Sequence, residues 1–324
     1  MFKISRVLFI YCVSPVHLGA GTAVGLIDNP IQRERHTDYP MFAGSGLKGA
    51  IRHHYWASYE GEQPDRKLLT RLFGPDTEGA ADHAGALSFG DAQLVAFPVR
   101  SARRGFVYAT SPLCLGRLAR MFQATGVDPG WPALPDPVNR ALVCDRALLE
   151  GGRLALETFE FEAREAEELQ VIAPWLANNA LPADPAYQYF QSKLSNDLVC
   201  LPEAEFAHFV KHATVVEPHV RIDDVSGTAA EGGLFYTENL PPESLLVSLA
   251  MASRERFAQK SKPEKPLKAE AVMDAVIQGE AVEDKALPAL DGLLLQVGGD
   301  ATTGRGQVML RALGNSQQGE KKDG

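Results

Sequence analysis

One carboxylate stands apart near the start of this chain. Asp28 lies in the connection VHLGAGTAVGLIDNPIQRERHTDYP (16–40), after a run of small residues and before a stretch rich in arginine. A carboxylate can take a proton from a hydroxyl or bind a divalent cation, and Arg33 and Arg35 would favour a phosphate beside it. Asp-Asn-Pro is also ordinary turn chemistry, because Asp bonds its own backbone and Pro fixes the next bend. The residues alone leave both readings open. His17 is a second candidate for proton transfer, or equally a histidine that satisfies a core hydrogen bond.

Two other stretches could bind anions. In GGDATTGRG (298–306), Gly298, Gly299, Gly304 and Gly306 leave backbone N–H groups open to a phosphate, with Thr303 and Arg305 among them. A wide hairpin turn is the plain alternative. The loop is no Walker sequence, since no Gly-Lys-Ser/Thr follows, and no dinucleotide fingerprint, since a strand rather than a helix comes next. GSGLKGAIRHH (44–54) puts Lys48 and Arg52 one turn apart on a helix for which Ser45 is the expected N-cap. Cations at that end gain nothing from the helix dipole, which points to an external polyanion; a solvated face is the alternative. PVRSARRG (98–105) and QRER (32–35) are further basic clusters that could be plain surface. His53 and His54 are adjacent, point in different directions and do not make a metal pair.

These residues must be positioned by a chain of 324 residues, 45% hydrophobic and 23% charged, which is the composition of a soluble globular protein with one large domain or two ordinary ones. The apolar runs are too short to span a bilayer, and MFKISRVLFIYCV reads as a buried strand rather than a signal peptide, so a cytoplasmic protein is expected. Cys12, Cys114, Cys144 and Cys200 are scattered, which suits buried free thiols and gives no support to a zinc site. The net charge of −9 opposes general attraction to nucleic acid, unless basic residues gather locally as these do.

Strand patterns cover 4–13, 86–99, 153–163, TVVEPHVRID, GGLFYTENL, ESLLVSLAMAS, GLLLQVG and VMLRAL. Helical spacing covers 44–59, 111–122 (Ser111 as cap, Pro112 at the first position), 202–213 and AEAVMDAVIQG. A Gly/Pro/acid-rich segment (74–86) and a Lys/Pro-rich linker (259–268) separate them, and 314–324 reads as a disordered tail. The expected class is α+β, with a mainly antiparallel sheet and two βαβ-like halves that suit a ferredoxin-like core.

SPVHLGAG, GLIDNPIQRERHTDYP, GSGLKGAIR, LSFGDAQLVAFPVRS, HVRIDDVSGTAAEGGLFYTENLPPESLL and GGDATTGRGQV, in that order, resemble the RAMP superfamily. They look most like the repeating backbone subunit of the type III-B (Cmr) CRISPR effector complex. The likeness covers about residues 5–313; D-x-P-I-Q-R-E-x-H-T is specific to that subunit, and the glycine loop is common to the superfamily. The resemblance implies a single RAMP domain over 1–313, with an RRM/ferredoxin-like palm, a thumb hairpin and long insertions. It implies copies stacked along CRISPR RNA with other subunits of the complex, and cleavage of paired target RNA once per subunit.

Under that resemblance Asp28 is the cleavage residue, on a flexible arm beside the target backbone. It acts as base or as ligand of a divalent metal, for which Mg2+ is expected, and His17 is a second catalytic candidate. Lys48, Arg52, Ser45, Arg33 and the loop residues Gly298, Gly299, Thr303, Gly304, Arg305 and Gly306 are expected to touch RNA. RNA carries its own nucleophile, the 2′-OH, which a thumb that splays one nucleotide would bring in line with the adjacent phosphorus. The chain departs from the family's usual residues at Asp38, Gly46 and Thr237. Two alternatives remain at this stage. One is a backbone subunit that binds guide RNA without cutting. The other is a stand-alone processor of precursor CRISPR RNA, which would need a base such as His17 and has no second histidine nearby.

Overall fold

The apolar run that opens the chain becomes β1 (Ile4–Cys12) in a computed structural model that describes residues 2–57, 66–75, 83–257 and 265–313. From Val7 to Cys12 every residue is buried, so both faces of the strand are covered. After the long connection and β2 (Met41–Phe42), α1 (Gly44–Ala57) turns Leu47, Ile51 and Tyr55 inward at helical spacing. Next come α2 (Arg66–Phe73), β3 (Leu87–Phe89), β4 (Ala92–Ser101) and β5 (Gly105–Thr110). The Ser111 hydroxyl caps α3 (Pro112–Thr125) by accepting from Cys114 N, and Gly126 ends it at φ 71°.

The middle of the chain supplies β6 (Ala141–Val143), β7 (Arg153–Leu156), β8 (Phe159–Glu165), α4 (Glu167–Ala180), α5 (Gln188–Asn196), β9 (Leu198–Cys200) and α6 (Glu203–His212). The hairpin β10 (Val215–Ile222) and β11 (Ala229–Asn239) follows, then β12 (Leu245–Ala252), α7 (Ala269–Ile277), β13 (Leu294–Gln296) and β14 (Gln307–Leu313).

β1 is central. It pairs antiparallel with β12 on one side and β14 on the other, and β12 pairs antiparallel with β3 and β4. The sheet runs on through β5, β9, β6, β8 and β7 to twelve strands, with parallel pairs at β5–β9 and β6–β8. β10 and β11 form a separate two-stranded sheet. One face of the large sheet is covered by α1, α2, α6 and α7 with Ile31 and Tyr39 of the connection, and the other by α3, α4 and α5. The mixed, sheet-rich and mainly antiparallel class is therefore as expected.

Two local expectations are corrected. The run 153–163 is two strands, because Glu157 takes φ 52° and turns the chain back. Ser45 is not the cap of α1. The helix starts at Gly44, whose N–H donates to Asp91 Oδ1 at 2.7 Å. Gly44 passes so close to β3 that an added Cβ would lie 2.2 Å from Phe89 O. All four cysteines are free and buried, and burial pushes each thiol well above its ordinary range. No helix among the described residues is long and apolar enough to cross a membrane. The tail 314–324, most of the linker 259–268 and part of the segment 74–86 lie outside the described residues.

Candidate functional site

The connection between β1 and α1 is fastened along most of its length, which corrects the flexible arm. Val16 exchanges both backbone hydrogen bonds with Leu240 at 2.9 Å. Asn29 N donates to Tyr236 O, and Glu238 N to Asn29 O, each at 3.0 Å, so the chain runs beside the end of β11. From there successive side chains find different anchors. The Gln32 amide donates to Gly19 O at 3.2 Å and accepts from Ala43 N at 3.1 Å. Arg33 pairs with Glu238 at 2.6 Å and donates to Asp38 O and Val210 O. Glu34, buried, takes both Arg117 nitrogens at 2.9 and 2.8 Å. The longest exposed run is Gly19–Leu26, with Gly21–Leu26 as its tip, and Arg35 and His36 are exposed as well.

Asp28 sits at the base of that tip. Its Oδ2 accepts from Tyr236 N at 2.8 Å, which fixes one carboxylate oxygen on β11. His17 Nδ1 lies 2.7 Å from Glu238 O. A carbonyl can only accept, so Nδ1 carries the proton and Nε2 is the open nitrogen. Gly19 makes room for it: a Cβ there would lie 2.9 Å from Nε2. Tyr236 and Glu238 are two residues apart, about 7 Å of strand, so β11 brings Asp28 and His17 to one place.

The Glu238 side chain holds the arrangement from beneath. It is buried and accepts from Ile31 N at 3.0 Å, Thr214 Oγ1 at 2.8 Å and the Arg33 guanidinium.

The glycine loop presses onto the same region. Gly298, at φ 73°, lies where a Cβ would meet His17 O at 2.2 Å, and Gly299 N donates to that oxygen at 3.0 Å. Gly306 N donates to Pro15 O at 2.8 Å. Between them Thr303 closes a short turn by donating to Asp300 O, and Gly304 follows at φ 80°. Arg305 is engaged: its Nη2 lies 2.6 and 2.7 Å from the two oxygens of Glu217 on β10. His17, Asp28, the glycine loop and the base of the hairpin thus meet at the Cys12 end of β1.

Lys48 and Arg52 are elsewhere. Lys48 Nζ donates to Leu87 O at 3.0 Å, and Arg52 Nη1 to Pro75 O at 3.3 Å. Leu87 pairs with Ala252, which pairs with Ile4, whereas the glycine loop enters β14 beside Cys12. From Ile4 to Cys12 is about 27 Å of strand, so the two expected anion patches lie at opposite ends of the sheet. Ser45 is exposed on the first turn of α1. Burial, then the charges of Arg52 and Arg256, push the Lys48 ammonium below its ordinary range.

Residues 9–309 match the RAMP superfamily. The chain belongs to this family. It is 29% identical over 300 residues to the CRISPR system Cmr endoribonuclease Cmr4 of Pyrococcus furiosus, covering 92% of each protein. It is 26% identical over 263 residues to the CRISPR system CMR subunit Cmr4 of Saccharolobus solfataricus, covering 75% of this chain and 83% of that one. The crystal structure of oligomeric Cmr4 from Pyrococcus furiosus superposes with a TM-score of 0.69 at 24% identity, over 96% of this chain and 98% of that one. A chain of the type III-B Cmr-beta complex bound to cognate target RNA gives 0.69 at 19% identity, over the same shares. At these identities the structural likenesses speak for the fold.

In this RAMP chain, then, the expected site residues fall in two groups: His17, Asp28 and the glycine loop lie together near the Cys12 end of β1, and Ser45, Lys48 and Arg52 lie on α1. Arg33 donates to Glu238 and to two carbonyls, and so braces the connection. The sequence reading missed Glu217 and the bracing role of Glu238, and the FYTEN motif gave no sign of the latter's burial. The donor set does not build a resident metal centre. Among the described residues no group of three or more His, Cys, Asp or Glu comes together, and Asp28 has one oxygen already fixed on Tyr236 N.

Proposed function

We propose that this chain is the repeating backbone subunit of a type III-B (Cmr) CRISPR ribonucleoprotein of the cytoplasm. It binds guide RNA and other copies of itself, and cuts complementary target RNA at regular intervals. The relatives named Cmr4, one of them named an endoribonuclease, support this assignment over 92% and 75% of the chain. The strand order β14-β1-β12-β4, with α1 and α7 as crossovers, supports an RRM/ferredoxin-like palm in a single domain over 1–313, and β10–β11 is the thumb.

The observation that carries the catalytic reading is the seating of Asp28. A side chain serving only a turn would bond its own neighbours; this carboxylate instead reaches a strand 208 residues away, the same strand whose Glu238 carbonyl holds His17. Asp28 receives the proton of the target's 2′-OH as that oxygen attacks the adjacent phosphorus. The O2′–P bond forms, the P–O5′ bond breaks, and the departing O5′ takes a proton from water, so the products carry a 2′,3′-cyclic phosphate and a 5′-hydroxyl. His17 Nε2, fixed in direction by the Glu238 carbonyl, faces the same reacting group. The N–H groups of Gly299, Thr303, Gly304, Arg305 and Gly306 are already donated within the fold, which corrects the open-loop expectation, so the loop meets guide phosphates through the Arg305 side chain when it leaves Glu217. Mg2+ is proposed only as an ion that takes its shell from RNA phosphates and water, and no step here runs through it.

Assembled complex incubated with complementary RNA tests the reading. Wild type should give a ladder of evenly spaced products, and Asp28→Asn none, with guide binding unchanged. EDTA, by stripping the ions that order the RNA phosphates, should weaken the ladder without lowering the melting temperature of RNA-free protein. A wild-type ladder from Asp28→Asn would make Asp28 a turn residue only.

A further inference from the structure

The far end of the sheet carries charge that the Asp28 site does not use. After β12 the side chains alternate: Arg254 is exposed, Glu255 buried and Arg256 half-buried. Glu255, the acid that would neutralise its neighbours, turns inward. It accepts from Arg71 at 2.7 and 3.0 Å and from Leu267 N at 2.8 Å. Lys3 arrives alongside because its N–H donates to Ala252 O at 2.8 Å. Lys3, Ser253, Arg254, Arg256 and Phe257, with an edge of Glu255, line a cavity of about 480 Å3.

Among the described residues Lys3, Arg254 and Arg256 have no carboxylate partner, and Arg256 rests 5.6 Å over the ring of Phe2. Lys48 lies close enough to feel the charge of Arg256. Gathering like charges without a counter-ion is unfavourable in itself, more so where walls of low dielectric limit screening. It becomes favourable when an anion occupies the space between them, and a guanidinium offers a phosphate two parallel N–H donors.

We propose that this cavity is a second phosphate-binding site for the RNA backbone, with Arg254, Arg256 and Lys3 as its ligands and Phe257 as its apolar wall. The proposal rests on the reading of the chain as an RNA-binding backbone subunit. It gives that subunit a phosphate contact at the end of the sheet remote from Asp28, continuous with Lys48 on α1. An acidic protein segment would satisfy the same charges, but Arg256 of the cavity lies near enough to Lys48 for the two charges to interact, which extends the basic surface as an RNA backbone would need.

Fluorescence polarisation of the full chain with a labelled single-stranded RNA, over a series of KCl concentrations, tests the site. Arg254→Ala with Arg256→Ala should lower the slope of log affinity against log salt by about 1.4, two contacts on single-stranded RNA. Arg254→Lys with Arg256→Lys should restore most of it. Arg254→Glu provides a second variant that leaves packing alone, since Arg254 is exposed, and it should bind more weakly still. A wild-type slope in the double alanine variant, or wild-type affinity in Arg254→Glu, would overturn the proposal. Lys48→Ala separates the two levels. A lower slope there with none in the arginine variants would sink the new site alone, and no change in any of them would sink the RNA-backbone reading too.

Discussion

Glu238 shows how much one buried carboxylate can organise. Its two oxygens take donors from the connection, from the residue before β10 and from Arg33, while its own backbone carbonyl aims His17. Removing one partner of a buried pair leaves the other charge uncompensated. Glu238→Ala should therefore cost about 3 kcal/mol, the low end of that class because Arg33 keeps two carbonyl partners. Glu238→Gln, which still accepts from Ile31 N and Thr214, should cost less. Chemical denaturation checks both values; equal losses would mean that the charge of Glu238 contributes nothing. Because the same residue holds the strand under Asp28, target cleavage should fall in the alanine variant more than guide binding does.

Among the elements, the hairpin and the glycine loop are tied through Arg305 and Glu217, with Asn239 Nδ2 reaching Glu217 at 3.3 Å. If Arg305 must leave Glu217 to meet a phosphate, Glu217→Gln removes the competitor. RNA should then bind more tightly at every salt concentration with the slope kept, since Arg305 meets the phosphate in both proteins and only the competing pair is lost. Weaker binding at an unchanged slope would show that Arg305 is a strut and not an RNA ligand. The turn from β11 to β12 carries a different sensitivity. Burial pushes Glu243 up from its ordinary 4.5 to about 7. Between those values the folded chain keeps a proton that the unfolded chain has released, so stability should fall as pH rises through that window and level off above it. Melting temperatures across the window should show this fall in wild type and lose it in Glu243→Gln.

These elements differ in how plainly the sequence announces them. Ser111-Pro112 marks the start of α3 with a cap and a first-position proline, and the buried run of β1 is plain from its composition. α4 is obscured by Pro174, which removes a helical N–H, yet Leu169, Ile172, Ala173, Leu176 and Ala177 hold it against the sheet. At the site, Asp28 and the glycines are visible as residue types in unusual settings. The Arg33–Glu238 pair joins residues 205 positions apart, and no local pattern records a contact that only the closed fold creates.

The whole molecule is acidic, and its candidate anion-binding groups among the described residues lie at two ends of one sheet, so a single copy on RNA should have few contacts with which to hold on. Neighbouring copies should add protein contacts, making affinity per site rise with RNA length. Isotherms on RNAs of increasing length would show this, and a constant affinity with only single particles in electron micrographs would contradict the repeating assembly. The fastened connection has a further consequence. Its exposed tip, Gly21–Leu26, is closed at the base by Ala20 N to Pro30 O at 2.9 Å and Ala23 N to Asp28 O at 3.0 Å. A protease that nicks the tip would separate β1 from Asp28 in the covalent chain but not in space. The pairs that hold β1 to β12 and β14, and Val16 to Leu240, need no continuous backbone. The central strand is therefore a removable keel: a synthetic peptide ending in the tip should dock into the remaining fragment and restore its activity, making the subunit a split protein that can be switched on by adding its own N-terminus.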